Sequence, residues 1–297
     1  MKLLVTGGAG MVGSYVADMF SGDEVVLTDI VGAMGSLDVR DRTAVQAAIV
    51  DTRPDAVLHL AAATDVDRCQ REPEWSRRSN AVGTEHVVDA CRPAAIPLVY
   101  VSTGAVFAGD KSEPYTELDD PEPSNVYAAS KLAGEQAVAV RLRRYFIVRA
   151  GWMFGGGLER DTKFVGKITR LIINGQRRLE AVDDKIGSPT FARDLLSTIR
   201  ALLCTEAYGV YHAANPGACS RYEMALAIRD VLGRPEIEIA PVSSDRFPLP
   251  APRGRSEALQ SVNLQRVGIR MRAWPEALRD YVATELLPAL EGPPSTR

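Results

Sequence analysis

KLLVTGGAGMVG, residues 2–13, runs from apolar and β-branched positions into a cluster of glycines and out into MVGSYVADMF, and its reading decides the fold. A short strand, a glycine turn and a helix-like stretch in that order open a βαβ unit. The glycines read equally as GxGxxG through Gly8, Gly10 and Gly13 or as GxxGxxG through Gly7, Gly10 and Gly13. Both spellings serve one mechanism. Without side chains the backbone turns tightly and approaches a pyrophosphate, whose charge then lies at the positive end of the following helix. A plain strand-to-helix turn would ask for nothing further, but Asp29 closes the next strand-like run, VVLTD, about 20 residues on, where an acid binds an adenosine ribose.

Outward from this unit the alternation continues. TAVQAAIVD, AVLHLAA, the long EWSRRSNAVGTEHVVDACR, PLVYVST, the helix carrying Tyr127 and YFIVRAG at 145–151 follow in turn. Strands of four to six residues between helices of ten or more predict parallel βαβ units with right-handed crossovers, hence an α/β fold of the Rossmann type, a doubly wound parallel sheet. Farther on, the pattern predicts helices over 162–174, 192–203, 220–232 and 276–287, with strands at 179–182, GVYHAAN and EIEIA. The division expected is 1–150 as the dinucleotide domain, 185–213 returning to its sheet, and 151–184 with 214–297 as a smaller substrate lobe over the carboxyl edge.

Composition narrows the function classes. Of 297 residues 46% are hydrophobic and 25% charged, which places the chain among soluble globular proteins. A net charge of −3 offers no electrostatic case for nucleic acid or an anionic membrane. No apolar run reaches bilayer length, and a cytoplasmic location is expected. Cys69, Cys91, Cys204 and Cys219 are scattered without a CxxC, and His59, His86 and His212 form no ligand set, so no metal is expected.

The chemistry is carried by NVYAASKLAGE. Tyr127 and Lys131 are four residues apart and share one helix face. A cation beside a phenol is expected to lower its pKa from roughly 10, preparing it to exchange a proton with a carbonyl or alcohol. The run VSTGAVF ends a strand and sets Ser102 and Thr103 at the carboxyl edge of the sheet, where a hydroxyl can bond the same substrate oxygen.

Together these elements resemble the extended short-chain dehydrogenases/reductases, in particular the dTDP-4-dehydrorhamnose reductase branch. The resemblance runs over most of the chain, through TGGAGMVG, RPDAVLHLAA, VSTGAVF, EPYTELDDPEPSNVYAASKLAGE, VRAGWMFG, DDKIGSPT and GVYHAAN. It implies Tyr127 as general acid, Lys131 binding the nicotinamide ribose, and Thr103 aligning the carbonyl. It implies cofactor contacts at Gly7, Gly10, Met11, Val12, Gly13, Asp29, Asp38, Val39, Leu60, Ala61, Ala62 and Ala63, beside Tyr127 and Lys131. Trp152 would wall the sugar site, with Ser188, Pro189 and Arg253 toward the nucleotide. Hydride would pass from NADPH or NADH to C4 of a 4-keto-6-deoxy sugar on a nucleoside diphosphate. A homodimer is the family expectation.

Asp29 leans toward NADH, since a carboxylate repels a 2′-phosphate, although Arg40 and Arg42 stand near in sequence. Asp38 is either an acceptor for the adenine amino group or a plain cap. Gly104 and Ala105 occupy places where the family pattern carries an Asp and a Tyr that contact the sugar, which predicts a more open, less polar pocket. HLAA lacks the usual Asn, and APRGRSEAL matches the RPxxSxL pattern loosely. An epimerase on the same scaffold and a non-catalytic NADP-binding regulatory subunit are the competing readings; dehydration is disfavoured because Gly104 and Ala105 supply no acid.

Overall fold

The computed structural model describes residues 1–31 and 35–291. Its centre is a seven-stranded parallel sheet of β1 (Lys2–Thr6), β2 (Glu24–Asp29), β3 (Gly35–Ser36), β4 (Ala56–His59), β5 (Leu98–Thr103), β6 (Tyr145–Ala150) and Gly209–His212. The order across the sheet is Gly209–His212, β6, β5, β4, β1, β2, β3. The order of winding reverses beside β1, which pairs in parallel with β2 on one side and β4 on the other. A parallel sheet opens a ligand crevice at that switch point, outside the carboxyl ends of its strands.

Alternating side chains of each strand supply two cores. Leu3 and Val5 face Val16, Phe20, Leu195, Leu196 and Ile199, all fully buried. Leu4 faces the other way, onto Val45, Ile49, Val57, Val87, Val88 and Val138. Both faces are therefore covered, which is why the strands are apolar at nearly every position.

Local signals set the helices. Asp41 caps Arg42–Thr52 by accepting from the amides of Thr43 and Ala44, and Asn125 caps Val126–Arg141 by accepting from Ala128. The helix expected after the glycine loop is short, a 3₁₀ turn at Gly13–Tyr15 running into Val16–Met19. The long 74–92 stretch is helical from Pro73 to Ala94 but widens to a π turn at Arg78–Val82, burying Asn80. The strand expected at 236–240 lies two residues later, at Glu238–Val242, where it pairs with Arg178–Val182. The run expected at 276–287 begins at Trp274 and passes through a second π turn at Val282–Leu286.

After β6 the chain leaves the sheet. Trp152–Phe154 pairs with Pro189–Phe191, and Ile186–Gly187 lies between Cys219–Ser220 and Ser256–Glu257. Helices Phe164–Ile173, Arg221–Val231 and Trp274–Tyr281 pack a separate core of Val165, Ile168, Met224, Ile228, Leu278 and Tyr281. Between these elements, helix Ala192–Leu203 and strand Gly209–His212 return to the sheet. Among the described residues, no helix is long and apolar enough to cross a membrane.

Candidate active site

A cleft of about 1460 Å³ runs over the carboxyl edge of the sheet, from the glycine loop to the segment 244–254. Its floor is laid by strand ends, so the residues it collects come from distant parts of the chain.

At one end the glycine spelling is resolved. Gly7 has φ +75°, and a Cβ there would sit 2.5 Å from the Ala61 amide nitrogen. A Cβ on Gly13 would sit 2.2 Å from the Gly8 carbonyl oxygen. Gly7 and Gly13 are thus the constrained pair, which favours the spelling through Gly7, Gly10 and Gly13, and only bare backbone at Gly7 lets the loop close against Ala61. Asp29 accepts from the amides of Ala9 (3.0 Å) and Val31 (3.2 Å), which fixes its carboxylate at the cleft wall. Asp38 is held by a forked pair with Arg40, whose guanidinium keeps the carboxyl below its usual range. Arg40 lines the cleft as well, whereas Arg42 pairs with Asp89 on the outer surface. Met11, Val12, Val39, Leu60, Ala61, Ala62 and Ala63 complete this end.

This cradle fits a dinucleotide. The glycines leave the close approach that a pyrophosphate needs, and Ser102 presents a buried hydroxyl that has no hydrogen-bond partner among the described residues. Buried hydroxyls are ordinarily satisfied, so a group in the cleft would answer it.

At the middle, Thr103 ends β5 and Tyr127 and Lys131 rise from helix Val126–Arg141, all three lining the cleft. Lys131 Nζ donates to the Val101 carbonyl at 2.8 Å and lies 4.0 Å from the Tyr100 ring centroid. Only 2% of Lys131 is exposed, and burial pushes its ammonium down to about 7 against the opposing pull of Glu135. Burial also pushes the Tyr127 phenol up to about 12, while a hydrogen bond with Thr103 acts the other way. The expectation that Lys131 lowers the phenol is therefore corrected: desolvation dominates, and Tyr127 is held in its protonated form. Glu135 continues the same helix face one turn on and is locked in a buried pair with Arg149 at 2.6 Å.

The backbone around Tyr127 is braced from behind. Asn80, buried in the π turn, accepts from the Ala63 amide at 2.7 Å and donates to the Ala63 carbonyl and to Ser130. Ser130 donates in turn to the Tyr127 carbonyl at 2.7 Å.

At the lobe side, Trp152 donates from Nε1 to Glu257 at 2.9 Å, and the Arg221 guanidinium lies 3.5 Å from its ring centroid and 4.8 Å from that of Phe164. Such stacking favours a cation held against aromatic faces, and burial brings the Arg221 pKa down to about 10. Arg253 lines the cleft and pairs with Asp67 at 3.0 Å. Ser188 and Pro189 do not line it. Ser188 Oγ accepts from the Leu259 amide at 3.0 Å, and Pro189 is buried in the strand beside Trp152, so both hold the wall up from behind. Gly104 is packed against the Leu259 side chain, leaving Ala105 alone of that pair at the cleft.

Sequence reasoning missed Arg221, Glu257, Lys163 and Lys185. Arg221 carried one usable signal, its place at the start of a helix with the capping box Ser220–Glu223.

Comparison with known proteins agrees with this geometry. The family model described as the RmlD substrate binding domain matches residues 1–286. A dTDP-4-dehydrorhamnose reductase of Mycolicibacterium smegmatis is 35% identical over 299 residues, covering 99% of this chain and 89% of the relative. A solved dTDP-4-dehydrorhamnose reductase from Clostridium acetobutylicum superposes with a TM-score of 0.90 at 30% identity, over 95% of this chain and 99% of the other. One from Bacillus anthracis, in complex with NADP, gives 0.89 at 33% identity over 95% and 98%.

Proposed function

The chain belongs to the RmlD substrate-binding-domain family, the dTDP-4-dehydrorhamnose reductase branch of the extended short-chain dehydrogenases/reductases, and from it we infer a reductase of the C4 ketone of a dTDP-linked 4-keto-6-deoxy sugar, using NADPH or NADH. The observation that carries this is the convergence of Thr103, Tyr127 and Lys131 on one cleft, between a glycine cradle and a set of lobe-side cations.

The bound nicotinamide supplies the hydride. Everything else falls to the chain. Gly7, Gly10 and Gly13 admit the pyrophosphate, and Asp29, with Arg40 near it, meets the adenosine ribose. Lys131, oriented by the Val101 carbonyl, offers its charge to the second ribose. Thr103 and Tyr127 hold the ketone oxygen, and the Tyr127 hydroxyl gives it a proton as the carbonyl carbon is reduced. A phenol whose pKa is near 12 is loaded with that proton at neutral pH. Trp152 walls the sugar, and Arg221, Lys185 and Arg253 balance the diphosphate.

The domain division proposed is 1–150 with 185–213 for the cofactor and 151–184 with 214–297 for the nucleotide sugar, corrected at one boundary: Ile186–Gly187 and Pro189–Phe191 pair with strands of the lobe, so the return to the cofactor side begins at Ala192. A cytoplasmic homodimer completes the reading. The test is a screen of purified protein against dTDP-, UDP-, GDP- and CDP-4-keto sugars with each reduced cofactor. One cofactor oxidised per ketone consumed is expected with the dTDP sugar, and turnover without net cofactor change would favour an epimerase.

A further inference from the structure

We propose that Phe247 is the stacking platform for the nucleobase of the substrate, an inference that rests on the substrate class given above. Residues 243–254 form a strap along the rim of the cleft, and both of its ends are tied down. At the lobe end the Asp184 carboxylate accepts from Ser243 Oγ, the Ser244 amide and Ser244 Oγ at 3.0–3.1 Å. At the other end Asp67 accepts from Arg253 and from the Ala251 amide, and Asn125 donates to the Pro252 carbonyl. Between the anchors runs Phe-Pro-Leu-Pro-Ala-Pro, residues 247–252.

Three prolines fix φ along this run, so the strap has little backbone freedom left to lose when a ligand arrives. Its side chains divide sharply. Ala251 is buried at 1% exposure, whereas Phe247 and Leu249 stand 44% and 54% exposed. Every other phenylalanine of the chain is buried or half-buried. Apolar surface held rigidly in solvent is costly, and here it borders a cleft instead of lying on an outer face.

What covers it follows from the charges beside it. Arg221 lies on Trp152, Lys185 donates to the Arg253 carbonyl, and Arg253 closes the strap. One cleft thus holds the proton donor Tyr127, the Trp152 wall, a group of cations and an exposed aromatic ring. A sugar, a diphosphate and a base need surfaces of these kinds. The base would lay its face on the Phe247 ring, with Leu249 beside it, gaining the attraction of offset rings.

The experiment is a calorimetric titration of the full chain, saturated with NADPH, with dTDP and separately with inorganic pyrophosphate. Phe247→Ala is expected to weaken dTDP by about tenfold and Phe247→Trp to hold it within about twofold, with pyrophosphate unchanged in both. Because Phe247 is exposed, its truncation leaves the cores intact. Equal dTDP affinity in wild type and Phe247→Ala would overturn the proposal, as would parallel loss of dTDP and pyrophosphate, or a change of oligomeric state with dTDP affinity kept. A wild-type protein that binds no dTDP would overturn the substrate class itself, and this inference with it.

Discussion

The indole of Trp152 lies where a side chain on Gly187 would have to go: a Cβ there would sit 2.2 Å from its Cε2. With Nε1 bonded to Glu257 and Arg221 stacked on the ring, the indole is fixed from several sides. Gly187→Ala must therefore displace it. We expect KM for the keto sugar to rise by about tenfold or more while cofactor binding is kept, since small displacements in a positioned site are expensive. Steady-state kinetics with a cofactor titration check this, and an unchanged KM would remove Trp152 from the sugar site.

Two titrating groups, buried Lys131 and half-buried Tyr127, predict a pH profile. Below about pH 7 Lys131 carries its charge, and Tyr127 keeps its proton up to about 12. As pH rises through about 7 the ammonium is lost first. kcat/KM for the reduced cofactor, which reports groups of the free enzyme, should fall above that pH, and Lys131→Arg should carry the falling limb out of range. The same shift acts on stability. Lys131 titrates below its ordinary 10.5, so between about 7 and 10.5 the folded state holds fewer protons than the unfolded one, and its contribution to stability rises with pH through that window. A flat kcat/KM profile from about pH 5 to 9 (roughly two units either side of the shifted Lys131) would contradict the assignment.

Cofactor preference turns on Arg40. Asp29 disfavours a 2′-phosphate, yet Arg40 lines the same end of the cleft, oriented by its fork to Asp38. Arg40→Ala should raise KM for NADPH by roughly tenfold, the scale of one charge-assisted contact, and leave NADH within about twofold. Equal effects on both cofactors would assign Arg40 a structural role.

What the sequence made legible was whatever is written in short, local patterns. The glycine loop, Asp29 at a strand end, Thr103 at the end of the strand LVYVST and the i, i+4 pair of Tyr127 and Lys131 all sit where backbone periodicity puts them, and all line the cleft. The sheet was legible for the same reason, because strands covered on both faces are apolar throughout. Side-chain direction at irregular positions was not. Ser188 and Pro189 follow Gly187 directly, but they turn into the wall. Arg221 and Glu257 meet at Trp152 from 69 and 105 residues away in sequence, and only the packing of the lobe brings them together. The acidity of Tyr127 was misjudged because spacing reports a neighbour's charge and not the desolvation that outweighs it.

Tyr127→Phe removes one hydroxyl, the proposed proton donor, and keeps the ring. With a dTDP-4-keto-6-deoxy sugar and NADPH, loss of reduced-nicotinamide absorbance should slow by about 10² or more, with cofactor affinity unchanged. A variant that oxidises cofactor at the wild-type rate would contradict the assignment of Tyr127 as the proton donor.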